Sequence, residues 1–238
     1  MTERGRGHLS RTRDTLAIGP SHLGWEGDTL VARLDETAFP LPRPLRGKVR
    51  FHPQALPGRC ETLAAAGQHQ WCPIAPSGRI EVALTQPRLR WSGHGYLDSN
   101  WGDEPLARGF RDWDWARATL RLGTMVLYDA RRRDGTHQTL ALRFDASGRV
   151  EPFAPPPSVR LPPTHWWRLP RTTLNDADDD PRVIATFEDT PFYARSLLRA
   201  QLLGERTIAI HESLSLDRFE RPWVRALLPF RMPRWERF

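Results

Sequence analysis

The chain has 238 residues, 39% of them hydrophobic, with 17 Gly and 22 Pro: room for one large or two small domains, rich in turns. No apolar run approaches the roughly 18 residues of a membrane-spanning helix, and the basic opening MTERGRGHLSRTRDT has no apolar stretch of a secretory signal. The formal charge is +7, nearly all of it from Arg, with Lys48 the single Lys. Scattered Arg residues, with a cluster only at Arg131, Arg132 and Arg133, read first as solvated strand faces and second as attraction to an anionic membrane surface. No zinc-finger spacing or RNP-type segment supports a nucleic-acid partner.

In chain order, LAIGPSHLGWEGDTLVARLDE reads as strand, turn, strand, and KVRFHPQAL opens another strand. GRIEVALTQPRLRWSGHGYLDSN alternates Ile80, Val82 and Leu84 on one face, then passes Pro87 into a second strand. RATLRLGTMVLYDARRRDGTHQTLALRFDASGRV is a hairpin about Asp134-Gly135. Val150 to Trp166 is Pro-rich and reads as a connector, and Leu174 to Pro181 as an exposed acidic loop. RVIATFEDTPFYARSLLRAQLLGERTIAIHESLSLDRF continues the series of strands; within it TPFYARSLLRAQLLG also admits a helix, whereas ERTIAIHESLSL is strand-like. The expectation is all-β: an antiparallel sandwich or barrel with a weak boundary near residue 108. Two cysteines, Cys60 and Cys72, make no disulfide framework in a chain this long, and both are expected reduced.

One stretch holds more chemistry than a loop needs. With GHGYLDSN as a strand, Tyr96, Asp98 and Asn100 share a face; in GQHQWCP, His69 and Trp71 share one. If both faces point into one barrel, a carboxyl, an imidazole, a phenol and an indole converge. A carboxyl among rings loses water around its charged form and can act as an acid. Ring faces stabilise a cation by ~2 kcal/mol or more once desolvated. Imidazole can hold or accept a proton. That is equipment for protonating an alkene and surviving the carbocation. The plainer reading is a turn Asp, a structural His and core tryptophans. No GxSxG elbow, phosphate loop or HExxH metal pair occurs, and Asp178, Asp179 and Asp180 read as a solvated loop rather than a calcium site.

WSGHGYLDSNWGDEPLARGFRDWDWARA closely resembles the signature region of the carotenoid 1,2-hydratases, also called hydroxyneurosporene synthases. MTERGRG, AAGQHQWCPIAP and HESLSLDRFERPWVRALLPFRMPR resemble the same family, so the likeness covers nearly the whole chain. The resemblance implies antiparallel lipocalin-like β-barrels in a two-barrel arrangement. Residues 1–108 would form the barrel portion carrying the catalytic residues, and 109–238 the second barrel. Family members usually carry a further N-terminal stretch, so the first barrel is expected incomplete here. The implied activity is cofactor-free, metal-free addition of water across the terminal C1–C2 double bond of acyclic carotenoids such as neurosporene and lycopene, giving a tertiary alcohol. The family's catalytic residues match His69, Trp71, Tyr96 and Asp98, with Asp98 the proton donor. Asn100, Trp91, Trp113 and Trp115 are candidates for substrate binding. A substrate that lives in a bilayer implies peripheral association with the cytoplasmic side of the inner membrane, with RPWVRALLPFRMPRW a candidate dock. The alternatives are a non-catalytic lipocalin-like carrier of carotenoid or lipid, and a related cyclase on the same scaffold.

Overall fold

The computed structural model describes residues 5–38, 42–64 and 67–231. Its first strands are β1 (Leu9–Arg11), β2 (Thr15–Ile18), β3 (Ser21–Glu26), β4 (Thr29–Ala38), β5 (Arg43–Pro53), β6 (Glu61–Thr62), β7 (His69–Gln86) and β8 (Leu89–Gly102). After the short helix α1 (Leu106–Gly109) come β9 (Phe110–Leu120), β10 (Gly123–Arg132), β11 (His137–Phe144), β12 (Val150–Pro152), β13 (Ser158–Leu161) and β14 (Arg171–Leu174). The chain then forms β15 (Arg182–Asp189), β16 (Tyr193–Leu202), β17 (Glu205–Ser215), α2 (Leu216–Phe219) and α3 (Pro222–Arg231). The strand registers are antiparallel, as the alternating patterns require.

One sheet runs β1-β2-β3-β4-β5-β7-β6 with β8 paired to β7, a second runs β12-β11-β10-β9-β17-β16-β15, and β13 and β14 form a separate ribbon. Closure would need a partner for each edge strand. Neither path returns to its first strand, so among the described residues the expected barrels are open sheets.

The chain forms two compact units, one of Met1–Ala55, Ser77–Leu97 and Arg225–Phe238, the other of Leu56–Pro76 and Asp98–Val224. β7 and β8 each change unit midway. At 18 and 14 residues they are the longest strands.

In the first unit, β1 to β5 form a meander extended by the later part of β7, with Leu30 opposite Phe51 and Val49 opposite Val82. Leu30, Val31, Phe51 and Val82 are its buried apolar residues.

In the second unit, Thr124 to Tyr128 of β10 is buried without a break, the mark of a central strand covered on both faces. One face packs Ala116 and Ala118 of β9, Leu127 of β10 and Leu198 of β16 against Leu161 and Leu174 of the β13–β14 ribbon. A leucine buried this way contributes about 1.5–3 kcal/mol. The opposite face carries Trp115 and Tyr128, which stand across from each other in the register.

Three segments correct or decide the sequence reading. The Pro-rich stretch contains strands β12 and β13; Pro152 is tolerated because β12 is an edge strand, where a missing N–H interrupts no ladder. TPFYARSLLRAQLLG is β16: Ala194, Ser196, Leu198, Ala200 and Leu202 are buried at period two, which a helix cannot produce. Cys60 and Cys72, expected reduced, are joined in a disulfide. The pairing follows from register: Glu61 lies opposite Trp71 and Thr62 opposite Gln70, so the next antiparallel step sets Cys60 against Cys72.

Candidate active site

The site is built where β7, β8, β9 and β10 contribute to the second unit. His69 and Trp71 alternate with solvent-side neighbours on β7 and are 1% and 0% exposed. The Trp71 indole Nε1 donates to Asp98 Oδ2 at 2.8 Å. Asp98 is half-buried at the point where β8 enters this unit. The imidazole of His69 faces Glu104 Oε1 from Nε2 at 3.4 Å, and its Nδ1 has no hydrogen-bond partner among the described residues.

Aromatic contacts make a circuit that runs from His69 to Trp71. His69 meets Phe110 at 5.0 Å, Phe110 meets Trp113 at 5.7 Å edge-on, Trp113 meets Tyr128 at 5.9 Å, and Tyr128 meets Trp71 at 5.5 Å. Tilted and edge-on pairs at these separations suit the ring quadrupoles. Phe110 joins this circuit through an irregularity in β9. Arg131 pairs with Asp112 but Arg132 pairs with Phe110, so one residue is extra and strict alternation fails there. The Tyr128 phenol is held well above the usual range, by burial first and then by the negative charges of Asp98 and Glu212. It therefore stays a neutral O–H.

The sequence-predicted residues divide accordingly. Asp98, His69 and Trp71 are set in one local arrangement, and Trp113 joins it through Phe110 and Tyr128. Trp115 is buried across from Tyr128. Tyr96 is half-buried on β8 two residues before Asp98 and belongs to the first unit. Trp91, also of the first unit, is 49% exposed, and Asn100 is exposed. Phe110, Tyr128 and Glu212 escaped the sequence reading, and Glu104, which with Asp103 beside Pro105 reads in sequence first as a turn and only then as a second carboxyl pair, meets His69. Strand pairing could have found Tyr128, because the Asp134-Gly135 hairpin fixes Tyr128 against Leu140 in β11, and β9 lies on its other side. The bulge that turns Phe110 leaves no such pattern.

The other face of β9 carries a second polar group. Asp114 accepts hydrogen bonds from Thr172 Oγ1 at 2.5 Å and from Ser213 Oγ, and lies 3.7 Å from His211 Nε2. Burial pushes the Asp114 carboxyl up to about 6 against the pull of those two hydroxyls. Burial, with Arg171 adding to it, brings His211 down to about 4, while its bond to the Thr172 carbonyl at 2.8 Å opposes. An open cleft of about 350 Å³ lies apart from the predicted residues, bordered by Arg111, Asp112, Arg131 and His137.

A family model described as carotenoid hydratase CrtC matches residues 1–238. An acyclic carotenoid 1,2-hydratase of Thiocapsa roseopersicina is 55% identical over 234 residues, and one of Rubrivivax gelatinosus 48% identical over 235; each alignment covers 98% of this chain and 58% of the relative. The chain thus spans under two thirds of those relatives. A third, from Cereibacter sphaeroides, is 39% identical over 98% of this chain and 84% of its own length. Among solved structures, a Nitrosomonas europaea protein under the name AttH superposes with a TM-score of 0.58 at 13% identity, covering 89% of this chain and 72% of that one. CghA, solved with Sch210972, gives 0.56 at 13% identity, covering 90% and 73%. At that identity the two structures speak to the fold alone, which is lipocalin-like.

Proposed function

The chain belongs to the carotenoid hydratase CrtC family, and from that premise we propose that it takes part in adding water across the terminal C1–C2 double bond of an acyclic carotenoid to give a tertiary alcohol. The observation that carries the reading is the hydrogen bond from Trp71 to Asp98 beside the circuit of aromatic rings. With the indole N–H on Oδ2, the acidic hydrogen of the carboxyl falls to Oδ1. Delivered to C2, it leaves a tertiary cation at C1. The electron-rich faces of Trp71, Tyr128 and Trp113 suit such a charge. Water then forms the C–O bond and gives up a proton to His69, and His69 returns it to the Asp98 carboxylate. The cycle consumes one water and needs no redox step.

A polyene of this kind dissolves in lipid, so we place the protein peripherally at a membrane surface. No helix among the described residues is long and apolar enough to cross one.

Incubation of the chain with lycopene or neurosporene, followed by mass analysis, tests the activity; the expected product has gained one water. Asp98→Asn removes the donor while keeping the side chain's shape. It should lower the rate about 10²–10⁴-fold with an unchanged circular dichroism spectrum. Pigment retained without conversion would favour the carrier, and an isomer of unchanged mass the cyclase. Conversion by Asp98→Asn at the parent rate would remove Asp98 as the acid.

A further inference from the structure

The strongest constraint in the site falls on a side chain with two nonequivalent nitrogens. His69 is held between two glycines: a Cβ on Gly102 would stand 2.5 Å from its Nδ1, and one on Gly109 2.8 Å from its Nε2. Phe110 packs against the ring at 5.0 Å. In so close a setting the imidazole is held with Nδ1 toward Gly102 and Nε2 toward Gly109, and does not turn over to put a ring carbon in place of each nitrogen. Which nitrogen carries the hydrogen is therefore decided by what each one faces.

Nε2 faces Glu104 Oε1 at 3.4 Å, and Nδ1 has no hydrogen-bond partner among the described residues. A carboxylate only accepts, so the contact is attractive when the hydrogen sits on Nε2. The opposite tautomer would set two acceptors against each other and bury an N–H with nothing to receive it. Glu104 comes from the turn between β8 and α1, and 30% of its side chain is exposed, against 2% for His69. It can thus meet solvent while fixing a ring that does not.

We propose that Glu104 is a positioning residue for His69, holding the hydrogen on Nε2 so that Nδ1 is the nitrogen that takes a proton. The proposal rests on the hydration reading above. When the C–O bond forms at C1, an O–H bond of the attacking water breaks and its proton passes to Nδ1. The imidazolium so formed lies opposite the Glu104 carboxylate, which stabilises it, and it is neutral again once the proton has moved to Asp98.

The test has one arm that does not depend on turnover. Nitrogen-15 NMR of the labelled chain reads the His69 tautomer, expected as Nε2–H in the parent. Glu104→Gln keeps an acceptor oxygen and should keep that tautomer, whereas Glu104→Ala should mix the two. In kinetics Glu104→Ala should lower kcat about tenfold with KM little changed, and Glu104→Gln should recover most of the loss. In a His69→Ala background Glu104→Ala should do nothing further, because its effect passes through the ring. A parent in the Nδ1–H form, an unmoved tautomer in Glu104→Ala, or an equal loss with and without His69 overturns the proposal. A parent chain that hydrates nothing counts against the reaction instead, and the tautomer measurement still decides the role of Glu104.

Discussion

At the scale of single residues, Asp114 and His211 form a buried pair whose titrations oppose each other. Asp114 binds its proton more tightly in the folded chain, with a pKa of about 6 against 3.8. Its contribution to stability is full below pH 3.8, declines as pH rises, and is lost above about 6. His211 does the reverse: lowered from 6.5 to about 4, it contributes fully above 6.5, and that is lost as pH falls through about 4. Each shift corresponds to about 3 kcal/mol, so in the parent the two slopes nearly cancel over the shared window. Asp114→Asn should expose the histidine's slope, and urea midpoints should fall as pH drops from about 6.5 to 4. His211→Asn should expose the carboxyl's slope, with midpoints falling as pH rises from about 4 to 6. If both variants keep the parent's profile, the two groups are not titrating as a pair. Neither residue stood out in the sequence, because their meeting depends on β9 lying beside β17 and Thr172 reaching over from β14. His69 and Trp71 were legible as sharing a face because β7 alternates there, whereas β8 from Tyr96 to Ser99 is half-buried throughout and shows no alternation at Asp98.

At the scale of elements, the hydrophobic pattern announced most of the strands, and the exceptions have physical causes. β16 admitted a helix beside the strand reading because apolar and aliphatic residues are dense in it, and only burial at period two separates the two. The Pro-rich segment concealed β12 and β13, because edge and ribbon strands tolerate Pro where central strands do not. The disulfide needed the β6–β7 register, which two residues of strand do not advertise. Close approach between elements leaves even less trace. Gly102 ends β8 against Gln68 and His69, and a Cβ there would lie 2.5 Å from the Gln68 carbonyl oxygen as well as from the ring. Backbone on one side and an enclosed ring on the other leave no cheap adjustment, so Gly102→Ala should cost about 1–3 kcal/mol of stability. It should also displace His69, which the NMR signal of the ring will register. Gly135 provides the contrast: at the tip of the β10–β11 hairpin a Cβ would meet nothing within 4 Å, and its need is only for a φ of +86°. Gly135→Ala should therefore change stability by roughly 1 kcal/mol while leaving the His69 signal in place.

At the scale of the whole molecule, the question is how a chain with a formal charge of +7 would reach the lipid-soluble polyene proposed as its substrate. The second unit offers a surface with the composition of an interfacial anchor. Trp166 is 79% exposed, and Trp167 stacks on Trp223 at 5.7 Å with both rings partly open to solvent. The display is built rather than accidental. Asp189 Oδ2 accepts from the Trp166 backbone N–H at 2.7 Å, and the Arg218 guanidinium donates to the Trp167 and Arg168 carbonyls at 2.7 and 3.0 Å. Arg168, which follows Trp167, and Arg221, two residues before Trp223, are exposed. Indole rings at headgroup depth with arginines reaching the phosphates match the chemistry of a bilayer surface. The tail expected to dock, RPWVRALLPFRMPRW, begins at Arg221 and runs through helix α3, and its residues past Arg231 lie outside the described ones. The chain should therefore sediment with vesicles containing anionic lipid, more weakly with purely zwitterionic ones, and salt should reduce the difference. Trp166→Ala with Trp167→Ala should reduce partitioning about tenfold or more, since each ring withdraws substantial apolar area from water. Both rings lie outside the Asp98 arrangement, so hydration of substrate presented in detergent should persist while hydration from vesicles falls. Equal partitioning by parent and double variant would show that this surface does not meet the membrane.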